Sequence, residues 1–479
     1  MFDSRRVTLN AIFLSAYRFI NPIISLFLIT AIARYLRVEG MGEYSIIMTY
    51  LSIAAMISLL GLNDFIIREF SKKREQGREY ILSVYLIGVL SSIIMTIFLI
   101  CFILLLNYPG IIKKGTFLAS FSLIPTTLID FSASICTAYE RMGLTSLIFL
   151  FGNLSKVIIS VYFLKIGFGL LSLMTVVVLT QCLTLLLAII LAKTCVKKID
   201  FKINLTYCKK VFDVMPVFIL ISIVSILYWK IDILLLSKIK KVADVGLYSA
   251  AYKIMDICKY LPQSFAIAIF PVISIASDSN NEELKSICKS AIKYLLIIIL
   301  PIIIFISVFA KDITKILYGN DFLTSSTVLQ IVIWTLLPYS SVMILAYVLI
   351  SYNKQKLELK ANIIGLITNI ILNTILIPKF GIFGAALATF LSSLIFLIVR
   401  YLFIIKNIKI EIVNAEIYKL VLICILLGLF SFIANKFISS LLTFMVSILF
   451  YIILLLYLRI INRNTLQNAI SLIRKSHFE

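Results

Sequence analysis

GLYSAAYKIMDICKYLPQSFAIAIFP, residues Gly246 to Pro271, reads as helix, and Ser249, Tyr252, Lys253, Asp256, Tyr260 and Gln263 recur along it at three- and four-residue steps. One face is therefore polar and carries both charge signs. In a water-soluble protein that face would meet solvent. Here 61% of the 479 residues are hydrophobic and the mean hydropathy is +1.08. Apolar runs of about 20 residues recur from end to end, so the medium around the helix is lipid. A polar face inside a membrane must look into a bundle or a cavity.

The totals agree. With 14% charged residues the chain holds a dozen or more spanning helices and no large soluble domain. A net charge of +22 would point to nucleic acid in a soluble protein. Clustered in short loops between apolar spans, it is instead the mark of cytoplasmic loops, and no nucleic-acid partner is expected. The eight cysteines are scattered singly, and the one histidine, His477, sits in the polar tail. No metal or other cofactor is expected, and most hydrolase mechanisms lose their base.

Cutting at charged, Gly and Pro-rich breaks gives spans near 8–33, 43–66, 80–106, 116–138, 144–164 and 169–192. A second six follow near 213–237, 245–275, 290–310, 325–350, 358–377 and 381–405, then two more at 414–434 and 437–458. Arg5, Arg6 and the Ala31-Ile32-Ala33 stretch imitate a signal peptide, but the apolar run between them is too long, and the helix is read as retained. With a cytoplasmic N-terminus, 26 of the 45 basic residues fall on the inner side and 12 on the outer. Both termini are thus expected in the cytoplasm.

The chain also repeats itself. Gly42-Glu43-Tyr44-Ser45 returns as Gly246-Leu247-Tyr248-Ser249, and Gly167-Phe168-Gly169 as Lys379-Phe380-Gly381. Tyr139-Glu140-Arg141 similarly answers Tyr352-Asn353-Lys354. The expected fold is an all-α integral membrane protein of about 14 transmembrane helices. Two six-helix pseudo-repeat lobes, 1–200 and 201–410, precede two added helices and a tail at 411–479. Six helices per repeat give both halves the same orientation, which places the expected cavity between lobes.

Arg18 lies about ten residues into the first span, ~15 Å along a helix and close to the middle of a ~30 Å core. Tyr17, Asn21 and Pro22 surround it with a polar, kink-prone segment. Asn153, Lys156 and Ser160 share a face of the fifth span, and Asn362, Asn369 and Asn373 a face of the eleventh. Asp130 lies with Thr126, Ser134 and Thr137 in the fourth, and Asp232 with Ser222, Ser225 and Trp229 in the seventh. Single Ser, Thr or Asn side chains commonly join helices. Charges are different, because a central Arg or Lys costs at least ~2.5 kcal/mol. Against Arg18, Lys156, Lys230, Lys253 and Lys259 the spans offer Asp130, Asp232 and Asp256. The excess cations suit an anionic cargo.

Ala33-Arg34-Tyr35-Leu36 running to Gly42-Glu43-Tyr44-Ser45, Ile231 to Leu236 running to Val245 to Ser249, Pro262, Phe270-Pro271 and Phe380 to Ala386 together carry a resemblance. The chain resembles the Wzx-type polysaccharide repeat-unit flippases, in the superfamily that also holds lipid II flippases and MATE drug exporters. The resemblance implies two helical lobes around a cationic cavity in a bacterial plasma membrane. The cargo it implies is an undecaprenyl-diphosphate-linked oligosaccharide destined for O-antigen, capsule or exopolysaccharide, with a polysaccharide polymerase and other assembly proteins as partners. Many members have twelve helices, so the last two here are a departure. Under alternating access Arg18, Lys156 and Lys253 would neutralise the phosphates. Asn21, Asn153 and Asn369 would line the cavity, and Asp256, Asp232 and Asp130 are candidates for ion coupling or gating. The alternatives are a lipid II flippase, a MATE-type drug/cation antiporter, for which the charge balance has the wrong sign, and a membrane glycosyltransferase or polymerase, for which no large outer loop exists.

Overall fold

The computed structural model describes residues 4–72, 77–196, 205–279, 281–410 and 417–458, and all regular structure among them is helical. The chain forms two compact units, Met1–Ser249 and Ala250–Glu479. The first holds α1 (Ser4–Ser58), α2 (Leu62–Lys72), α3 (Gly77–Leu105), α4 (Gly110–Ser120), α5 (Leu123–Ala138), α6 (Met142–Lys165), α7 (Leu170–Cys195) and α8 (Leu205–Ile239). Within α9 (Val242–Cys258) the chain passes to the second unit. There follow α10 (Tyr260–Ser279), α11 (Asn281–Val308), α12 (Ala310–Tyr318), α13 (Leu323–Val332), α14 (Leu336–Ser351), α15 (Gln355–Ile408), α16 (Ile417–Phe437) and α17 (Ser440–Tyr457).

Seven of these stretches are long and apolar enough to cross a membrane alone, and α4 with α5, bent by 41°, makes an eighth. The fourteen expected spans fall largely on helix among the described residues, the second interrupted by a turn at Leu59–Gly61. α1 carries two, divided where Arg37 turns to φ 58°, and α15 carries two, divided at Gly381, also at φ 58°. Large apolar side chains such as Phe98, Ile158, Leu186 and Leu429 face outward, whereas hydroxyls are buried. Ser58 Oγ meets Thr127 Oγ1 at 2.7 Å, and Ser91 Oγ donates to the Ser58 carbonyl at 2.7 Å. A polar interior with an apolar exterior is what a hydrocarbon solvent selects. α16 and α17 pack on α11 and α12: the Tyr451 hydroxyl donates to the Ile297 carbonyl at 2.5 Å, Phe444 meets Phe305 edge-on at 5.0 Å, and Ser440 Oγ reaches Asp312 at 2.7 Å.

The repeat is visible in hydrogen bonds. α5 ends with Glu140 at φ 60°, the Arg141 N–H donating back to the Cys136 carbonyl at 2.9 Å and the Glu140 N–H to Thr137 at 2.9 Å. α14 ends in the same way: Asn353 at φ 56°, Lys354 N–H to Leu349 at 2.8 Å, Asn353 N–H to Ile350 at 3.0 Å. Both are left-handed helix caps of the Schellman kind, formed by the paired Tyr-Glu-Arg and Tyr-Asn-Lys sequences. The first glycine match is spatial as well. A Cβ on Gly42 would lie 2.0 Å from the Val242 carbonyl oxygen, and one on Gly246 would lie 2.1 Å from that of Val38. Residue 38 corresponds to 242 and 42 to 246 under the same shift, so the contact is reciprocal.

The stretch Gly246 to Pro271 differs from expectation in being two helices. α9 stops at Cys258 because Pro262, in the first turn of α10, has no N–H to offer the Cys258 carbonyl. The fourth and tenth spans are broken too, at Phe121–Ser122 and at a 3₁₀ turn over Ile333–Thr335.

Candidate functional site

In the first unit the polar side chains gather where α1 meets α6. Pro22 cannot donate to the Arg18 carbonyl, so the α1 ladder is open there. Asn153 of α6 meets the next turn from the side: its Nδ2 donates to the Asn21 carbonyl at 3.0 Å, to Asn21 Oδ1 at 2.6 Å and to Ser25 Oγ at 3.1 Å. Asn21 Nδ2 donates on to the Tyr17 hydroxyl at 3.3 Å, and the Tyr17 ring stacks on Phe149, 5.8 Å between centroids. Asn153 Oδ1 is buried with no hydrogen-bond partner. Lys156, half-buried, follows three residues on along the α6 face. The Arg18 side chain lies outside the described residues, although its backbone is part of α1.

The structure thus brings Asn21 and Asn153 together and adds Ser25, which the sequence reading missed. Its position four residues after Asn21, across the proline, was the available signal. Asp130, half-buried in α5, makes no ion pair among the described residues. Asp232 is 1% exposed and accepts a hydrogen bond from the Tyr248 hydroxyl at 3.0 Å.

In the second unit Asp256 pairs with Lys259, at 2.6 Å, rather than with Lys253. The reason lies in helix geometry at the α9–α10 junction, where Lys259 folds back over the Tyr252 ring at 5.2 Å and is itself buried. Lys253 is half-buried one turn earlier. Asn369 is fully buried in α15, its Oδ1 and carbonyl accepting from Asn373 Nδ2 at 2.5 and 3.0 Å. One further charge, counted from the sequence among the inner-side cations, makes an interior cluster. Arg400 is 2% exposed: it pairs with Glu358, donates to the Val342 carbonyl at 2.7 Å and to Asn362 Oδ1 at 3.2 Å, and covers the Phe396 ring at 4.2 Å. It ties both limbs of α15 to α14.

The domain boundaries expected at 200 and 410 fall in or against segments outside the described residues, 197–204 and 411–416. Chemically, the α1–α6 node presents amide and ammonium groups inside an apolar bundle, a set that suits hydroxyl-rich or anionic groups and offers no nucleophile–base pair.

Comparison with known proteins gives consistent results. A family described as polysaccharide biosynthesis protein matches residues 31–327. A "probable low-salt glycan biosynthesis flippase Agl15" of Haloferax volcanii is 26% identical over 368 residues, 76% of each chain. A "probable flippase AglR" of the same organism is 28% identical over 171 residues, 34% of this chain and 35% of that one. Among solved structures, a lipid II flippase MurJ in an inward closed conformation superposes with a TM-score of 0.78 at 18% identity, over 94% of this chain and 99% of its own. An inward-facing MATE family multidrug transporter reaches 0.65 at 16% identity, over 82% and 98%. These two likenesses establish the fold.

Proposed function

Since the chain belongs to the polysaccharide biosynthesis protein family, we propose that it is a flippase carrying a lipid-linked oligosaccharide across the cell membrane during surface-polysaccharide assembly. The observation that carries this reading is the node of Asn21, Ser25 and Asn153 at the Pro22 bend, with Lys156 one turn away inside an apolar bundle. Sugar hydroxyls and phosphates need such donors to leave water, because bare transfer of a charged headgroup through hydrocarbon is prohibitive. The names of the two Haloferax relatives support it, one a glycan biosynthesis flippase and the other a flippase.

The cargo in this reading is a repeat unit on a polyprenyl diphosphate, undecaprenyl in a bacterium, handed on to a polysaccharide polymerase. Arg18, Lys156 and Lys253 neutralise the phosphates, and the protein works by alternating access with both termini in the cytoplasm. Asp256, Asp232 and Asp130 remain the carboxylates for ion coupling.

Proteoliposomes containing a fluorescent polyprenyl-diphosphate oligosaccharide test this. The wild-type chain moves the label between leaflets, and Arg18→Ala and Lys156→Ala each slow it at least tenfold, the rate equivalent of about 1.4 kcal/mol. Full activity in both variants defeats the cationic site. Transport of a cationic dye, with none of the glycolipid, would instead make the protein a drug antiporter.

A further inference from the structure

In the first unit two loops bring lysines together at one end of the helices. Lys238, in the last turn of α8, holds its ammonium 3.7 Å from the centroid of the Tyr108 ring. The ring is fixed: Tyr108 is buried, its hydroxyl hydrogen-bonds to Ser237 Oγ at 2.6 Å and to the Tyr50 hydroxyl at 3.1 Å, and Tyr50 meets it edge-on at 5.9 Å. Lys113, in the first turn of α4, donates to the Leu104 carbonyl at 3.0 Å. Burial, and then repulsion from Lys113, hold the Lys238 ammonium below the usual lysine range. Among the described residues no carboxylate lies within ion-pair distance of either lysine. Asp244, in the first turn of α9, accepts from the Lys241 backbone N–H at 3.2 Å. Lys114, Lys240 and Lys241 lie in the same two segments.

Five of the 12 basic residues assigned to the outer side by the charge count therefore sit here, on the side where lysine is disfavoured. Two ammonium groups held in electrostatic range with no counter-charge are a site for a ligand carrying two negative charges, and an aromatic face under one of them fixes its direction. We propose that Lys113 and Lys238, organised around Tyr108, dock the diphosphate of the lipid-linked glycan on the release side of the membrane. The proposal rests on the flippase reading above. The lysines stand at the ends of the spans, the depth at which a headgroup rests when its prenyl chain is in the leaflet.

Acylation by a membrane-impermeant sulfonated succinimidyl ester, read by peptide mass spectrometry on the full chain in nanodiscs, tests it. Polyprenyl diphosphate should slow labelling of Lys113 and Lys238 about tenfold while leaving Lys165 unprotected. Phosphatidylglycerol at the same mole fraction should protect neither. Equal labelling with and without polyprenyl diphosphate overturns the proposal, as does equal protection by phosphatidylglycerol, or protection by inorganic pyrophosphate but not by the lipid. In proteoliposomes K113Q/K238Q should flip more slowly than wild type and K113R/K238R should restore the rate. If K113Q/K238Q flips at the wild-type rate, the docking site falls and the flippase reading stands. A wild-type chain that flips no glycolipid removes both.

Discussion

Asn153 is the residue on which the α1–α6 node turns, because one amide nitrogen on α6 reaches three acceptors on α1. Asn153→Ala should lower stability by about 1–2 kcal/mol, the range for interhelical polar contacts in membranes, and should slow flipping more than it lowers the melting temperature in detergent. A variant that melts early but flips normally would make the node purely structural. Arg400 poses the opposite case. Its four contacts tie the two limbs of α15 together, far along the sequence from the node, and Arg400→Met alone should cost about 3–5 kcal/mol by stranding Glu358. Arg400→Met with Glu358→Met should recover most of that loss, and a double-mutant unfolding cycle measures it. The sequence revealed Asn21 and Asn153 as polar residues within apolar spans. It concealed their pairing, and it concealed the burial of Arg400, since a cation at the end of an apolar run looks alike whether it snorkels or is buried.

At the scale of elements, the breaks matter more than the helices. The fourteen spans were legible because apolar length is a direct demand of the bilayer. The internal breaks were not, because a 3₁₀ turn over Ile333–Thr335 or a stop at Cys258 leaves hydropathy unchanged. Pro262 was the one written signal. The paired caps were legible only through the repeat, the two Tyr-centred matches turning out to share their hydrogen bonds. The close approach of α1 to the α8–α9 junction supplies a sharp prediction. Gly42→Ala and Gly246→Ala place a Cβ about 2 Å from backbone oxygens, so each should cost at least the ~1–3 kcal/mol of overpacking, visible as a lower melting temperature. Gly110→Ala, where a Cβ meets nothing within 4 Å, is the matched control and should melt like wild type.

For the molecule as a whole, the proposed function makes a prediction about charge. The diphosphate cargo proposed above would carry two negative charges outward, and with the inside negative each would gain about 2.3 kcal/mol per 100 mV, ~4.6 kcal/mol together. An imposed potential of that sign should speed glycolipid export in proteoliposomes, and the reverse sign should slow it. Rates indifferent to the potential would mean that compensating cations travel with the cargo. α16 and α17 are bound to α11 and α12 through Tyr451, Phe444 and Ser440.

The reciprocal meeting of Val38 with Gly246 and of Val242 with Gly42 bears on heredity. In a two-fold pair of half-length chains, one valine and one glycine would make both contacts, and any substitution would be felt twice at once. Joined in a single chain, the two contacts are inherited separately. Each glycine can then be lost only if the opposite valine's backbone gives way, so the two halves remain answerable to each other at this crossing.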